Sequence, residues 1–286
     1  MAKRRKKTHG KGIATAVIVL IAVITALLLH KDADGGEVQF HFIDVGQGDA
    51  ALIRTPKGDI LIDAGTNSSE DQLKAYLDQL GVTELEYAVF THPHEDHIGG
   101  ADMILNTYTV KRVILPDKEH ASKTFERMLD AIEAEHCEVI MATPDKAFKV
   151  GDLTCTILAP IGTAYTELNN YSVVIRAEYG DTSVLFTGDA EVYAEKEMLE
   201  RYFFKGLLDC DILKVGHHGS DTSSSQAFLY AVSPVHAVIS VGEGNTYDHP
   251  KQEILSRYEA MKLTIHRTDR EGSFVFTTTG GEPERK

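Results

Sequence analysis

A short run of histidine and aspartate residues constrains this chain more than any other feature of its sequence. His92, His94, Asp96 and His97 follow the apolar segment Tyr87–Phe90, which is typical of a β-strand. Residues two apart in an extended loop point the same way, so His92 and His94 can share one metal ion. Asp96 and His97 come after the chain has turned, so they can face a second ion. Imidazole combined with carboxylate suits Zn²⁺, Mn²⁺ or Fe²⁺ rather than Ca²⁺.

Two further segments place similar side chains directly after apolar strands. Asp189 follows Leu185–Thr187 and one glycine, and the pair His217 and His218 follows Ile212–Val215. Taken alone, a Gly-Asp pair is a common turn, and a His pair can cap a helix. The carboxyl ends of strands are where α/β folds gather their reactive side chains, so we expect the three segments to converge.

The order of predicted strands and helices after Val38 indicates an α/β fold. Each half of this region begins with strands that read as antiparallel neighbours and continues with alternating strands and helices. The pattern predicts two sheets packed face to face with helices outside, a four-layer αββα sandwich. We place this domain at residues 38–280 and expect residues 281–286 to form a polar tail.

The N-terminal part has the pattern of a membrane-targeting segment. Residues 1–12 are rich in Lys and Arg, residues 13–29 form an uncharged apolar run, and residues 30–37 form a short polar linker. The run is near the lower limit for a helix that spans a bilayer, and by the positive-inside rule the chain beyond it is exported. No cleavage site with small residues lies after the run, which favours a single-pass signal anchor at the cell membrane with an extracellular domain. The alternative is a cleaved signal peptide and a secreted protein.

The charge balance argues against one class of function. Acidic residues outnumber basic ones by 43 to 29, and a cluster of the basic residues lies before residue 12. The predicted domain is therefore strongly acidic, unlike a nucleic-acid-binding module that works through its surface charge. An enzyme whose bound metal ions supply positive charge locally remains compatible with this composition.

The motifs resemble those of the metallo-β-lactamase-fold hydrolases. The His-x-His-x-Asp-His run, the Gly-Asp pair and the His-His-Gly-Ser segment are the features that carry this likeness. A narrower resemblance, from about Val38 to Thr279, is to the C-terminal hydrolase domain of the DNA-uptake protein ComEC. The segments that support it are Phe42–Ala50 (FIDVGQGDA), Ile62–Gly65, Asn169–Val174, His217–Ser220 and the pair His249 and Pro250.

The resemblance implies a site for two divalent metal ions, Zn²⁺ or Mn²⁺. The implied ligands are His92, His94, Asp96, His97, Asp189 and His218. The first two hold one ion, the next two hold the other, and Asp189 bridges them. Whether His217 or His218 completes the second site stays open at this point.

One loop departs from the family pattern. Many members carry a further His just before the strand that leads to Gly-Asp, whereas Glu167–Ser172 contains none. The first ion would therefore keep at least one open position, with Asn170 nearby. An open position is what catalytic metal sites retain for water or substrate.

Further residues are candidates for catalysis and substrate binding. The predicted catalytic residues are Asp96, His217 and His249. Because Pro250 fits the first turn of a helix, we expect His249 at a helix start, as a general acid or phosphate contact or as a plain cap. The predicted substrate contacts are Ser220, Gln47, Asp49, Asn170 and Lys214. For Gln47 and Asp49, the alternative is a role in the glycine turn.

These observations favour an exported, membrane-tethered, metal-dependent hydrolase of phosphodiester bonds. The expected partners are a phosphodiester or another anionic substrate, such as extracellular DNA or an envelope phosphodiester, and the membrane through the N-terminal helix. We predict no stable protein partner. The alternatives are a β-lactamase or lactonase and, in a different class, a non-catalytic metal-binding or sensing domain.

Overall fold

Two large β-sheets and one small one organise the structure, a computed structural model that describes residues 36–286. The strands are β1 (Val38–Phe42), β2 (Ala51–Thr55), β3 (Gly58–Ile62), β4 (Glu84–Leu85), β5 (Tyr87–Val89), β6 (Thr109–Val110), β7 (Arg112–Leu115), β8 (Glu138–Met141), β9 (Ala147–Val150), β10 (Leu153–Ala159), β11 (Val174–Tyr179), β12 (Thr182–Phe186), β13 (Ile212–Lys214), β14 (His236–Ile239), β15 (Thr264–Arg267), β16 (Phe274–Thr278) and β17 (Glu284–Arg285). The first sheet has the order β17-β16-β1-β2-β3-β5-β7-β8, the second has the order β15-β14-β13-β12-β11-β10-β9, and β4 pairs with β6.

The helices connect the strands within each half of the chain. They are α1 (Glu70–Gln79), α2 (Glu95–Ile98), α3 (Ala101–Thr107), α4 (Lys123–Glu135), α5 (Val192–Tyr202), α6 (Gln226–Val232), α7 (Gln252–Ala260) and α8 (Thr268–Glu271). Short 3₁₀ turns lie at residues 67–69, 168–171, 203–205 and 216–219.

Three apolar layers show how the elements stack. Side chains of both sheets meet in the central layer, with Phe40 on one side and Phe186 on the other. A second layer packs α1, α3 and α4 on the first sheet, and a third packs α5, α6 and α7 on the second sheet. Burial of these faces removes apolar surface from water, which is the dominant favourable contribution to folding. The predicted four-layer αββα sandwich is confirmed for the described residues.

Helix α4 illustrates how the sequence produces these elements. Ser122 precedes the helix, and its hydroxyl accepts a hydrogen bond from the backbone N–H of Phe125 at 3.2 Å. The buried residues Phe125, Met128 and Ile132 recur at intervals of three and four, so they share the face that packs on the sheet. The helix ends at His136, which adopts a left-handed conformation with φ of 57°.

One strand pairing joins the end of the domain to its beginning, and the strand pattern alone does not predict it. Strands β1–β3 pair antiparallel and are followed by parallel pairs, and the second sheet repeats this order from β9 to β15. Strand β16 then returns to the first sheet and pairs antiparallel with β1, with Phe276 opposite Phe40. Within the segment predicted as a polar tail, Glu284 and Arg285 form β17, which extends this sheet at its edge.

The N-terminal predictions fall mostly outside the structure. The basic tail, the predicted anchor at residues 13–29 and most of the linker lie outside the described residues. Within residues 36–286, no helix has the length and apolar character that crossing a membrane requires.

Candidate active site

The histidine and aspartate motif begins just beyond β5, at the carboxyl edge of the first sheet. His92 is buried and His94 is half-buried in the loop, and α2 then carries Asp96 and His97. Two glycines separate α2 from α3. The ring centroids of His97 and His92 are 4.1 Å apart, so the helix and the loop before it contribute to one cluster.

Asp189 lies at the centre of the cluster. Its Oδ1 atom is 3.2 Å from Nε2 of His97, and its Oδ2 atom is 3.6 Å from Nε2 of His218 and 3.9 Å from Nε2 of His92. The carboxylate is buried and follows the end of β12. One side chain therefore faces histidines from both predicted metal positions.

The turn before Asp189 requires glycine. Gly188 has φ of +50°, and a Cβ atom there would lie 3.0 Å from Oγ of Ser172 and 3.0 Å from the side chain of Thr91. The Ser172 hydroxyl accepts a hydrogen bond from the backbone N–H of Asp189 at 3.0 Å and lies 3.4 Å from Nδ1 of His92. Gly188 thus permits three loops to approach closely around the cluster.

His218 is the member of the histidine pair that faces the cluster. Its Nδ1 atom donates to the carbonyl of Ser240 at 2.9 Å, which leaves Nε2 at 3.2 Å from Oδ2 of Asp96. His217 and His218 have φ of 49° and 53°, in the left-handed region that residues other than glycine rarely adopt. Backbone conformations of this kind persist where surrounding contacts enforce them, and they are frequent at functional sites.

The carboxylate of Asp63 orients the ring of His97 through a hydrogen bond to Nδ1. Asp63 follows β3 with φ of 59°, and its Oδ2 atom accepts from Nδ1 of His97 at 2.7 Å. Thr91 donates twice to the same carboxylate, from its backbone N–H and its hydroxyl, both at 2.7 Å. A carboxylate that holds one ring nitrogen of a histidine directs the other nitrogen toward a metal.

His92 and His94 form a second group of candidate metal ligands. Nε2 of His92 is 3.0 Å from Nδ1 of His94. Burial lowers the pKa of His92 well below its usual value, and burial also lowers the pKa of His94. Both rings are therefore neutral at pH 7 and keep lone pairs, which is the state that binds metals.

The charge of the cluster suits a bound cation. Burial alone would raise the pKa of Asp189, but the imidazoles of His97 and His218 hold it well below its usual value. Burial would likewise lower the pKa of His97, but the carboxylates of Asp189 and Asp63 raise it well above the usual value, so a metal ion that binds Nε2 of His97 must displace a proton. Nε2 of His97 and Oδ1 of Asp189 are buried without a hydrogen-bond partner. Among the described residues, Asp96, His97, Asp189 and His218 offer four ligand atoms within 4.8 Å of one another, which fits a divalent ion.

A cleft of about 490 Å³ opens above the cluster. Its walls include the metal-type residues His94, Asp96, Asp189 and His218 and also Gln47, Thr66, Glu95, His217, Tyr247 and His249. A substrate can therefore reach the candidate ligands and two further histidines from the same side.

His217 is held at the edge of this cleft by polar neighbours. Its Nδ1 atom is 2.9 Å from Oγ1 of Thr222 and 3.5 Å from Oε1 of Glu191, and its Nε2 atom is 3.8 Å from Oδ2 of Asp189. Burial would raise the pKa of Glu191, but His217 and Asn169 hold it below its usual value. An ionised Glu191 therefore fixes the orientation of the His217 ring.

His249 faces His217 across the cleft, with 5.6 Å between the ring centroids. The side chain of Asn245 accepts from the backbone N–H of His249 at 3.1 Å and donates to its carbonyl at 2.7 Å, which fixes the loop. Nδ1 of His249 is buried without a hydrogen-bond partner. Burial, followed by the charges of His217 and His218, lowers the pKa of His249 to about 4, so the ring is neutral at pH 7.

Sequence comparison identifies the family to which this geometry belongs. A sequence profile of the Metallo-beta-lactamase superfamily matches residues 43–243, a range that contains all six candidate metal ligands. The chain belongs to the metallo-β-lactamase superfamily. A solved structure, the metallo-beta-lactamase fold protein YhfI from Bacillus subtilis, has a TM-score of 0.57 and 14% identity over 85% of this chain and 99% of that one. At that identity, the likeness supports the fold alone.

Curated relatives show which group within the superfamily this chain resembles. "ComE operon protein 3" of Bacillus subtilis is 30% identical over 283 residues, which cover 93% of this chain and 35% of that protein. "Recombination protein 2" of Haemophilus influenzae is 32% identical over 254 residues, which cover 87% of this chain and 30% of that protein. The resemblance to the ComEC group is confirmed, and the chain spans about a third of the length of these relatives.

Within this superfamily member, two predicted substrate contacts are in fact parts of the buried scaffold. Lys214 is only 3% exposed, and its Nζ atom lies 2.5 Å from Oδ2 of Asp49 and donates to the carbonyl of Val215 at 2.8 Å. Asp49 is also buried beneath the cluster. The ammonium and the carboxylate neutralise each other, and neither residue is among those that line the cleft.

Ser220, another predicted substrate contact, also lies in the buried scaffold. Its hydroxyl is buried and lies 3.1 Å from Oγ1 of Thr222, which in turn contacts His217. Ser220 thus supports the position of His217 from behind and is not among the residues that line the cleft.

The side-chain amide of Asn170 is hydrogen-bonded to the segment where α5 begins. Its Oδ1 atom accepts from the backbone N–H groups of Glu191 at 3.3 Å and Ala194 at 3.1 Å, and its Nδ2 atom donates to Glu191. These bonds satisfy orphan donors at the start of α5. Its neighbour Asn169 lies nearer the site, with Nδ2 at 3.4 Å from Nδ1 of His217.

His249 lies at the cleft as predicted, but not at a helix start. Helix α7 begins only at Gln252, with Lys251 as its N-cap, so Pro250 is not in its first turn. Gln47 also lines the cleft, and its Oε1 atom accepts from the backbone N–H of Gly242 at 3.1 Å.

The structure adds residues that the sequence prediction missed. Asp63, Glu191 and Asn169 each orient a histidine of the site. Asp63 and Asn169 fall inside segments that carried the family resemblance, which was the available signal. Glu191 follows the Gly-Asp pair closely, but nothing in its own neighbourhood distinguishes it from a surface glutamate.

Proposed function

We propose that this chain is a dinuclear-metal-dependent phosphodiesterase. The observation that supports this most strongly is the position of the Asp189 carboxylate, within 4 Å of ring nitrogens from His92, His97 and His218. Hydrolysis of a phosphodiester adds water at phosphorus and breaks one P–O bond, and the released alcohol takes up a proton. The cleft above Asp189 offers residues for each of these requirements.

The chain has donors for two ions of the Zn²⁺ or Mn²⁺ type. The first would be held by His92, His94 and Asp189, and the second by Asp96, His97, His218 and the same Asp189. When bound, such ions supply a nucleophile near neutral pH and neutralise negative charge on the substrate. Asp63 contributes by directing Nε2 of His97 toward this centre.

His217 and His249 would contact the phosphate group. They face each other across the cleft, and both rings have N–H groups for oxygens of an anionic substrate. Because His249 is neutral at pH 7, it acts as a hydrogen-bond donor to the phosphate and not as a standing cation. An approaching phosphate raises the pKa of such a ring, so a larger fraction of it is protonated and can pass a proton to the departing alcohol.

Export and membrane tethering belong to the proposal. They are supported by the sequence, in which an uncharged apolar run at residues 13–29 follows a basic segment. With the domain outside the cell, extracellular DNA or envelope phosphodiesters would be its substrates.

The test is a side-by-side assay of three substrates with added Mn²⁺ or Zn²⁺. We expect cleavage of bis(p-nitrophenyl) phosphate and of single-stranded DNA, and slow or no hydrolysis of the β-lactam nitrocefin. The inactive control is Asp189→Asn, which retains the size of the side chain and removes its charge. Rapid nitrocefin hydrolysis without any phosphodiesterase activity would contradict the proposal and favour a β-lactamase or lactonase.

A further inference from the structure

An apolar cavity lies beside the candidate metal centre and has no role in the chemistry described above. Its volume is about 150 Å³. Its inner wall is formed by side chains at the carboxyl ends of β5 and β7 and on α2 and α4, among them Phe90, Pro93, Ile98, Leu115, Phe125 and Met128. An apolar cavity of about 150 Å³ is known to hold a single benzene ring. The space is thus suited to one flat ring.

The cavity and the catalytic cleft are separated by one short piece of chain. His92 and Pro93 line the cavity, whereas the next two residues, His94 and Glu95, line the cleft. Both spaces therefore lie at the same sheet edge, on two sides of the metal-binding loop. A ligand that occupies both spaces must extend over this loop.

The outer part of the cavity combines exposed apolar and polar residues. Leu129 and Met141 line it and are 41% and 51% exposed, so the cavity reaches the protein surface between α4 and β8. Asp117, Lys118 and Glu119 also line it, and Nζ of Lys118 is held 4.8 Å above the ring of Tyr171. The rim therefore offers hydrogen-bond donors and acceptors around an apolar interior.

We propose that this cavity binds the nucleobase of a nucleotide substrate whose phosphate lies in the catalytic cleft. The proposal rests on the phosphodiesterase function and names its substrate class. A base has two apolar faces and a polar edge, which matches the apolar wall and the polar rim. An acyl chain matches less well, because it needs a longer channel and gains nothing from three charged residues at the rim. The strongly acidic chain, with 43 acidic and 29 basic residues, also needs a source of affinity for nucleotides other than surface charge.

Methionine methyl NMR on the full chain tests the binding step without turnover. Met128 and Met141 line the cavity, and the other four of the six methionines serve as internal references. We expect 2′-deoxycytidine 5′-monophosphate to shift these two methyl resonances and 2-deoxyribose 5-phosphate to leave them in place. Leu129→Trp fills the outer cavity and should weaken this binding at least about tenfold. Val235→Trp, at a residue that is 57% exposed on the other half, is the matched control.

A kinetic comparison separates failure of this inference from failure of the proposed function. The p-nitrophenyl ester of deoxycytidine 5′-monophosphate is compared with the same ester that lacks the base. We expect kcat/KM to be about tenfold or more higher for the ester with the base than for the ester without it. In Leu129→Trp, the ratio of these two kcat/KM values should fall toward one. Equal hydrolysis of both esters by the natural protein, or unshifted Met128 and Met141 resonances, would overturn the nucleobase site and leave the phosphodiesterase intact. Shifts without hydrolysis of either ester would support the site and contradict the function.

Discussion

Replacing Asp63 with asparagine tests how this superfamily member builds its metal centre. Asp63 is 1% exposed and accepts three hydrogen bonds of 2.7 Å, one from Nδ1 of His97 and two from Thr91. All three partners are donors, so the amide group of asparagine must direct its own N–H at one of them. Losing a hydrogen bond to a charged group costs about 1.5–3 kcal/mol of unfolding free energy. Losing the carboxylate that orients His97 weakens metal binding by about 10- to 100-fold.

Chelator competition measures the metal affinity, and urea unfolding with excess chelator measures the stability of the metal-free protein. The control is Asp59→Asn, since Asp59 lies in the same strand that leads to Asp63, is also buried, and pairs with Arg54 away from the site. We expect the control to lose stability but to bind both ions normally. If Asp63→Asn bound both ions as tightly as the natural protein, the orienting role of Asp63 would be refuted.

Three further predictions concern other parts of the domain. His249→Ala should lower the phosphodiesterase kcat/KM about 100-fold with unchanged metal content, because a placed donor to the phosphate is lost; an unaltered rate would remove His249 from the site. Lys214→Met should reduce the unfolding free energy by about 3–5 kcal/mol in urea, because the buried carboxylate of Asp49 loses its lysine partner. A higher KM with normal stability would instead support Lys214 as a substrate contact. His41 is buried, and burial and then Arg54 lower its pKa from 6.5 to about 4. As pH falls from 6.5 to 4, the unfolded chain binds the proton first, so the unfolding free energy should fall by about 3 kcal/mol. In His41→Asn, the unfolding free energy should fall by about 3 kcal/mol less over the same pH range. Equal falls in the two proteins would contradict the burial argument.

The sequence predicts most of the sandwich and the ligand loop because both depend on local patterns. Alternating apolar residues mark the strands, and a motif of consecutive ligands such as His92–His97 stays together whatever the rest of the chain does. The return of β16 to pair with β1 could not be predicted, because it depends on contacts between residues more than 230 positions apart, such as Phe40 and Phe276.

Three of the predicted substrate contacts lie in the scaffold and not in the cleft, for one physical reason. Lys214, Ser220 and Asn170 are polar residues near functional segments, and sequence proximity does not tell which way a side chain points. In the folded protein, all three turn into the scaffold, where Asp49, Thr222 and the start of α5 satisfy their hydrogen bonds. The residues that orient the histidines, such as Asp63, come from other loops and emerge only from the assembled structure.

Metal stoichiometry in Asp189 and His94 variants tests the central claim most directly. The full chain, Asp189→Asn and His94→Ala would each be loaded with Zn²⁺ or Mn²⁺, desalted, and analysed by elemental mass spectrometry alongside a phosphodiesterase assay. We predict about two ions per chain for the natural protein, about one for His94→Ala, and close to none for Asp189→Asn, because its carboxylate serves both positions. Asp189→Asn that retained two ions and a normal rate would contradict the bridging role and, with it, the dinuclear centre proposed here.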